Sequence, residues 1–454
     1  MAEINLERRI RKHVKARTHS IAGICHPAVQ DLLRRELHGM GIESRQESPG
    51  VELFSGGIED LYRVHLTSRI AASFRLRLDE FRCGSREDLF SRLRGFPWEY
   101  WIQEKTGVRI KMSLSSSRIQ HDGRAEESAY KAIQGRMQEL YPGWRSGGRR
   151  DPEPVTEGAS PDRQVIHIQI EHSRARVSLE ASGDLLYRRG YAPAQGLAPL
   201  RENLAAALIQ AAPFGIPHRI VDAMAGSGTF LFETVLSALG LPPLPRRKFA
   251  FQEWPVYRRE TENFLRRKIL REIADRAQGE NAAGTGRETG DNRDSMLPAG
   301  NFKGVEIAGN VFGLLQTNTG GFSQHLSYLL GQTDTAVPEI ELSNEDFFIW
   351  LYDQLDPDSL SMPGEPGLLI CNPPYNWRVR SESGLYRRIW NLFGEILPGW
   401  YGIILMPLNA SGRPFLSNDD LPPSSILNRS SSRDFPHGGK RIRALYIHPL
   451  PPGS

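Results

Sequence analysis

The apolar run Gly367-Leu368-Leu369-Ile370 breaks off into Cys371-Asn372-Pro373-Pro374-Tyr375. That junction limits the fold more than any other stretch. The run reads as a buried parallel strand. Each proline lacks an amide donor, fixes its own φ and pushes the residue before it toward extended backbone, so neither helix nor ladder continues through the pair. The strand must stop there, and open α/β sheets hold ligands at the carboxyl ends of their strands. A second junction of the same kind lies upstream. His218-Arg-Ile-Val-Asp222 reads as a short strand, Ala223-Met-Ala-Gly226-Ser-Gly228-Thr229-Phe230 as a tight turn of small residues, and 231–239 as a helix. Further strands are predicted at Phe302–Ile307, from Ile340, at Trp400–Met406 and at Arg441–Ile447, with helices at 198–209, 246–278 and 387–397. That alternation predicts an α/β fold.

Both turns carry chemistry. The side-chain oxygen of Asn372 and the main-chain carbonyl of Pro373 can accept hydrogens from an exocyclic base amine, whose lone pair is otherwise delocalised into the ring. Pro374 helps aim the backbone, and Tyr375 offers a flat face to a base taken out of its stack. An ordinary Asn-Pro turn is the plain alternative. The upstream turn suits a ligand that approaches the backbone closely, with a carboxylate or phosphate at the helix N-terminus. It lacks the Gly-Lys-Ser/Thr of a phosphate loop and is no full G-x-G-x-x-G. A strand-to-helix turn capped by Thr229 is the alternative there.

The first half alternates differently. Strands are predicted at 21–25, 51–54, 74–78, 108–112, 165–170 and 176–180, with helices at 26–40, 58–72, 86–93 and 126–140. This is an α+β pattern. Arginines recur near its strands, and Arg109, Lys111, Arg118 and Arg176 are candidate phosphate contacts; a solvated strand face is the alternative. Residues 1–20 are basic and read as a solvated tail or a phosphate-contacting arm. Segments 143–163, 279–300 and 409–440 are polar or rich in Gly and Pro, and 279–300 reads as a disordered insertion.

The 454 residues suffice for two or three domains. Three scattered cysteines with no C-x-x-C pair argue against a disulfide framework or a zinc site and for the reducing cytoplasm. No apolar run reaches the ~18 residues of a membrane span.

Residues 21–190 resemble the N-terminal part of THUMP-containing RNA methyltransferases. The matching stretches include Glu36-Leu-His-Gly-Met-Gly, Gly50-Val-Glu-Leu-Phe-Ser-Gly, Thr67-Ser-Arg-Ile-Ala and Ser182-Gly-Asp-Leu-Leu-Tyr-Arg-Arg-Gly-Tyr. Downstream, Asp222-x-x-x-Gly226-Ser-Gly228-Thr229 fits the first cofactor motif of S-adenosylmethionine enzymes, and Asn372-Pro-Pro-Tyr375 follows in the family's order. The resemblance, to the guanine-N2 RNA methyltransferases of the bacterial 23S ribosomal RNA type, implies a ferredoxin-like domain at 21–84, a THUMP RNA-binding domain at 85–190 and a Rossmann-like class I methyltransferase domain at 191–454, after a basic extension at 1–20. It implies S-adenosylmethionine as cofactor, no metal, and ribosomal or transfer RNA as substrate, with no protein partner expected. Asp222 would meet the methionine ammonium, and Ala223, Gly226, Gly228 and Thr229 its carboxylate. Glu306 would hold the ribose, Asp346 and Phe347 the adenine, and Asn203 would border the pocket. Glu306 stands where the family usually has Asp, and Asn376 where it often has Gly. A DNA amino-methyltransferase shares the tetrad, and a non-catalytic RNA-binding assembly protein could share the fold.

Overall fold

Period-two alternation shapes the first half of the chain, and the computed structural model shows where it leads. The structure describes residues 2–117, 119, 122–144, 163–192, 200–279, 301–331, 336–356, 365–375 and 384–451. These divide into two units, Met1–Arg188 with Arg246–Arg266, and Arg189–Pro245 with Arg267–Ser454.

The first unit contains α1 (Ala2–Ile10), β1 (His19–Ile24), α2 (Gln30–Gly39), β2 (Ser44–Ser48), β3 (Val51–Gly56), α3 (Ile58–Thr67), β4 (Ser73–Arg82), α4 (Arg86–Gly95), β5 (Gly107–Ser115), α5 (Asp122–Leu140), β6 (Arg163–Glu171) and β7 (Arg174–Glu180). All seven strands form one sheet, ordered β2-β3-β1-β4-β7-β6-β5. A single sheet therefore runs through the two segments predicted as separate domains at 21–84 and 85–190, joined where β4 pairs antiparallel with β7. Only β5 and β6 are parallel in it. Phe74 and Leu76 are buried, as are Ile166, Ile168 and Ile170, while the residues between them turn to the other face. Against the apolar face, α2 buries Leu32, Leu33 and Leu37, and α5 buries Ala125, Ala129, Ala132, Ile133 and Met137. Ser85 and Asp88 close a capping box at the start of α4.

The basic N-terminus is neither a bare tail nor a free arm. It is helical through α1, continues as a π turn over Arg11–Lys15, and buries Ile10 and Val14. Arg9 lies 3.6 Å from Glu99 and over the Tyr100 ring.

Residues 246–258 also differ from the helix predicted across 246–278. They form an extended strap with one 3-10 turn, Ala250–Glu253, and the helix starts only at Arg259. The anchors explain this. Phe251 stacks on Tyr62 at 4.5 Å, and the Trp254 indole donates to Gln164 at 2.7 Å. The Arg247 guanidinium donates to the carbonyls of Ser182, Asp184, Leu185 and Arg188. Pro255 then has no amide with which to extend a helix backward.

The second unit contains α6 (Glu202–Gln210), β8 (Arg219–Asp222), α7 (Thr229–Ala238), the later part of α8 (Arg259–Gly279), β9 (Asn301–Val305), α9 (Gly309–Leu330), β10 (Ile340–Ser343), α10 (Phe347–Asp353), β11 (Leu368–Cys371), α11 (Leu385–Glu395), β12 (Tyr401–Leu408), α12 (Ser424–Leu427), β13 (Ser430–His437) and β14 (Lys440–Ile447). Its sheet is ordered β10-β9-β8-β11-β12-β14-β13. The first five are parallel, β14 runs antiparallel to β12, and β13 forms a hairpin with β14. Continuous burial, not alternation, marks the central strands: all of Leu368–Cys371 is buried, which fits helices on both faces. In the segment 409–440, read from sequence only as a polar loop, the structure places α12 and the edge strand β13. Of the other two irregular segments, 145–162 and 280–300 lie outside the described residues.

Candidate active site

The chain order of the second sheet reverses between β8 and β11. β8 leads outward to β9 and β10, and β11 leads the other way to β12. Such a switch point opens a crevice above the strand ends. Both turns singled out from sequence sit there. Asp222, the last residue of β8, pairs with Ile370 of β11, and Ala223 N–H donates to the Ile370 carbonyl at 3.0 Å.

Asp222 is fully buried. Oδ1 accepts from the Met224 amide at 3.3 Å, and Oδ2 has no hydrogen-bond partner. Burial therefore pushes its carboxyl up to about 8, with Glu306 adding to the rise. A buried carboxylate oxygen left without a partner is costly unless a donor arrives from outside the chain. The turn after it is built to let a ligand close. Gly226 and Gly228 adopt φ of +58° and +91°. A Cβ at Gly228 would lie 2.3 Å from the Phe232 ring, so no other residue fits. Gly228 caps α7, whose first amides face the turn.

Glu306 follows β9 and spans this turn. Its Oε2 accepts from Gly226 N–H at 3.0 Å and its Oε1 from Ala308 N–H at 2.9 Å. Each oxygen keeps acceptor capacity for a hydroxyl. Asn318 of α9 donates to the Ser227 carbonyl at 2.9 Å, a support with no local signal in the sequence. Asp346 caps α10: Oδ1 accepts from Phe348 and Ile349 amides at 2.9 and 3.2 Å. Arg388 approaches the same oxygen at 3.7 Å and lies over the Phe348 ring. Phe347 is buried beside it. Asn203 sits in the first turn of α6, half-buried.

The tetrad continues β11. Asn372 is half-buried, Pro373 is buried, and the Tyr375 hydroxyl donates to Asn372 Oδ1. Burial holds the Tyr375 hydroxyl well above the usual tyrosine range, so it remains a donor. The Tyr375 ring meets the His437 ring edge-on, 5.9 Å between centroids. Sequence reasoning passed over His437, which belongs to the unrecognised hairpin. Asn376, Trp377 and Arg378 lie outside the described residues.

The sheet of the first unit carries the arginines. Arg109 and Lys111 are exposed on β5. Arg176 stands 3.8 Å from Glu80 and 3.6 Å from Glu171. Arg75 pairs with Glu180, and Arg77 with Glu47. Much of the arginine concentration on this face is thus matched by carboxylates. Arg189 is buried against Glu233 in the second unit. Arg118 lies outside the described residues. Among the described residues no group of three or more His, Cys, Asp or Glu is placed to hold a metal, and no helix is long and apolar enough to cross a membrane.

Strand order, the reversed seventh strand and the paired turns define a class I methyltransferase fold. A solved structure titled as a putative methyltransferase complexed with SAH shares it, with a TM-score of 0.69 at 20% identity over 96% of this chain and 99% of that one. Residues 189–293 match the model of the RMKL-like methyltransferase domain, and residues 21–72 match that of the RlmL ferredoxin-like domain. The ribosomal RNA large subunit methyltransferase K/L of Marinomonas sp. is 25% identical over 437 residues, 95% of this chain and 52% of the relative. The protein of that name from Methylococcus capsulatus is 31% identical over 387 residues, 83% and 45% of the two. The two family models match parts of the chain, and the chain spans about half the length of these curated relatives.

Proposed function

We propose that this chain is an S-adenosylmethionine-dependent RNA methyltransferase that forms N2-methylguanosine in large-subunit ribosomal RNA. One observation carries the reading: Asp222, whose Oδ2 has no partner, and the Asn372 tetrad end adjacent parallel strands at the switch point.

The residues fit the cofactor. The partnerless Asp222 Oδ2 suits an ammonium, and the cradle left by Gly226 and Gly228 at the start of α7 suits a carboxylate. Ala223 and Thr229 flank that cradle, Glu306 offers both oxygens to the ribose hydroxyls, and Asp346 with Phe347 holds the adenine. Asn203 closes the pocket wall. When bound, the cofactor supplies a methyl group already activated on sulfonium sulfur.

The tetrad prepares the other reactant. Asn372 Oδ1 and the Pro373 carbonyl accept the two hydrogens of the guanine amine and draw its nitrogen toward a tetrahedral shape. Its lone pair is then freed along the line of attack. Pro374 holds that carbonyl's direction, and Tyr375 stacks on the extruded base. The amine proton leaves to solvent after transfer. Catalysis is therefore mostly positioning, and geometry of this quality lowers barriers by about 7–11 kcal/mol in well-oriented systems.

Residues 21–84 and 85–190 act as the ferredoxin-like and THUMP parts of one RNA-gripping module, with Arg109, Lys111, Arg118 and Arg176 touching phosphates. Residues 191–454 act as the catalytic domain, apart from the strap. The three unpaired cysteines suit the cytoplasm, where ribosomal RNA is made.

The test is transfer of a labelled methyl group to 23S ribosomal RNA transcribed in vitro, followed by nucleoside analysis. Label in N2-methylguanosine, abolished by Asn372→Ala, is the expected result. Label in DNA alone, or undiminished transfer by Asn372→Ala, overturns it.

A further inference from the structure

β12 outruns β11. The last β11 pairing is Cys371 with Ile404, yet β12 continues through Leu405–Leu408, and these four residues pair with Ala444–Arg441 of β14. At about 3.3 Å per residue, the β13–β14 hairpin stands roughly 13 Å beyond the point where β11 releases the tetrad. Its tip is the two-residue turn Gly438-Gly439, closed by the pair His437 and Lys440. Both glycines have positive φ, +55° and +79°, as a tight hairpin turn requires. A Cβ at either would meet nothing within 4 Å, so the glycines serve the turn and not packing. The turn thus sets where His437 points. From that post its ring meets Tyr375 edge-on at 5.9 Å and 76°. Edge-to-face rings at this spacing hold one another's orientation.

We propose that the hairpin tip is a wall of the target-nucleotide pocket and that His437 is a positioning residue, whose ring fixes the Tyr375 face on which the extruded base stacks. This rests on the enzyme reading above. It makes the β13–β14 hairpin, and not the tetrad alone, the determinant of base alignment. The role requires a flat ring at position 437, whereas proton transfer by imidazole is not part of it.

The experiment compares wild type, His437→Ala, His437→Phe and Asn372→Ala on in-vitro-transcribed 23S ribosomal RNA, with S-adenosylhomocysteine affinity measured for each. His437→Ala is expected to lower kcat about 10- to 100-fold, the scale of a slightly misplaced reactant. Its KM for RNA should move less than about threefold, and its S-adenosylhomocysteine affinity should stay at the wild-type value. His437→Phe is expected to restore kcat to within about threefold of wild type. Wild-type kcat in His437→Ala overturns the proposal, and so does a His437→Phe protein as slow as the alanine variant. If His437→Ala loses S-adenosylhomocysteine affinity, its role is structural and the proposal fails. A wild-type protein inactive on the transcript sinks the enzyme reading itself. Activity in wild type with loss in Asn372→Ala, but none in His437→Ala, sinks only this inference.

Discussion

The Tyr375 hydroxyl donates to Asn372 Oδ1, the oxygen assigned to a substrate amine. An incoming amine must therefore share that oxygen's second lone pair or displace the hydroxyl. On the proposed reading the hydroxyl and the ring of Tyr375 have separable roles: the hydroxyl orients the Asn372 side chain, and the ring would stack on the base. Tyr375→Phe should keep the ring and free the acceptor, leaving kcat within about threefold of wild type. Tyr375→Ala should lose base stacking, which is worth about 1–3 kcal/mol per base and so about 5- to 150-fold in kcat/KM. Steady-state methyl transfer by the two variants checks this. Equal losses would tie the ring and the hydroxyl to one role.

Asp222, as the proposed ammonium site, should couple ligand binding to pH. Burial holds its carboxyl at about 8, whereas an unfolded chain releases that proton near pH 4. Between those values the folded protein binds more protons than the unfolded one. The ligand-free protein should therefore lose stability as pH rises from about 4 to about 8, with no further loss from this group above that. An ammonium placed on Oδ2 favours the ionised form and reverses the effect. S-adenosylhomocysteine should bind more tightly as pH rises toward 8 and release a proton as it does so. Asp222→Asn should flatten the pH dependence of the ligand-free Tm and abolish tight binding. Thermal melts and calorimetric titrations across pH 5–9 measure both. A ligand-free Tm that rises with pH in step with wild-type Asp222, and not in the Asn variant, would contradict the assignment.

Both βα turns were legible in the sequence because their signals are local. Prolines at 373 and 374 stop a strand whatever surrounds it, and the glycines at 226 and 228 occupy conformations that other residues resist. The central strands were legible for a similar reason, as short runs buried on both faces. What escaped is what depends on partners. β2, Ser44-Arg-Gln-Glu-Ser, and β13, beginning Ser430-Ser-Ser-Arg-Asp, are polar edge strands, and each is a strand because a neighbour offers it a ladder. His437 entered the site only through such an edge. The strap at 246–258 looked helical from its composition, but its aromatic anchors lie far away in sequence, on Tyr62 and Gln164. The arginines of the first sheet looked like free charge because their carboxylates, Glu47, Glu80 and Glu180, come from other strands or from distant residues of the chain.

The turn at Gly228 should tolerate no side chain. A Cβ there would lie 2.3 Å from the Phe232 ring and 2.9 Å from Leu315, and Phe232 is itself stacked on Phe322 at 4.6 Å. The ring has no room to yield. Positive φ adds strain of about 1–3 kcal/mol. Gly228→Ala should lower stability by at least about 2 kcal/mol and remove S-adenosylhomocysteine binding, because the cradle and the start of α7 move together. Gly226→Ala meets no atom within 4 Å and carries only the strain of its φ of +58°, so its loss of stability should be smaller. Denaturant unfolding ranks the two, and a reversed order would show that the steric account is mistaken.

The basic sheet face should separate by pairing. Arg109 and Lys111 are exposed on β5, whereas Arg176 faces Glu80 and Glu171 at 3.8 and 3.6 Å. A phosphate reaching Arg176 must compete with two carboxylates, and its counterion is already part of the protein. Each unshielded contact to a phosphate releases about one counterion from the nucleic acid, so the slope of log affinity against log salt should fall by about 1 for each contact removed. Arg109→Glu and Lys111→Glu should each show that fall and weaken binding to 23S ribosomal RNA alike across sequences. Arg176→Glu should weaken binding with a smaller change in slope, and it should also lower stability, since it sets three carboxylates together. Filter binding at several salt concentrations with thermal melts distinguishes these outcomes. Unchanged affinity and slope in the Arg109 and Lys111 variants would remove β5 from the RNA surface.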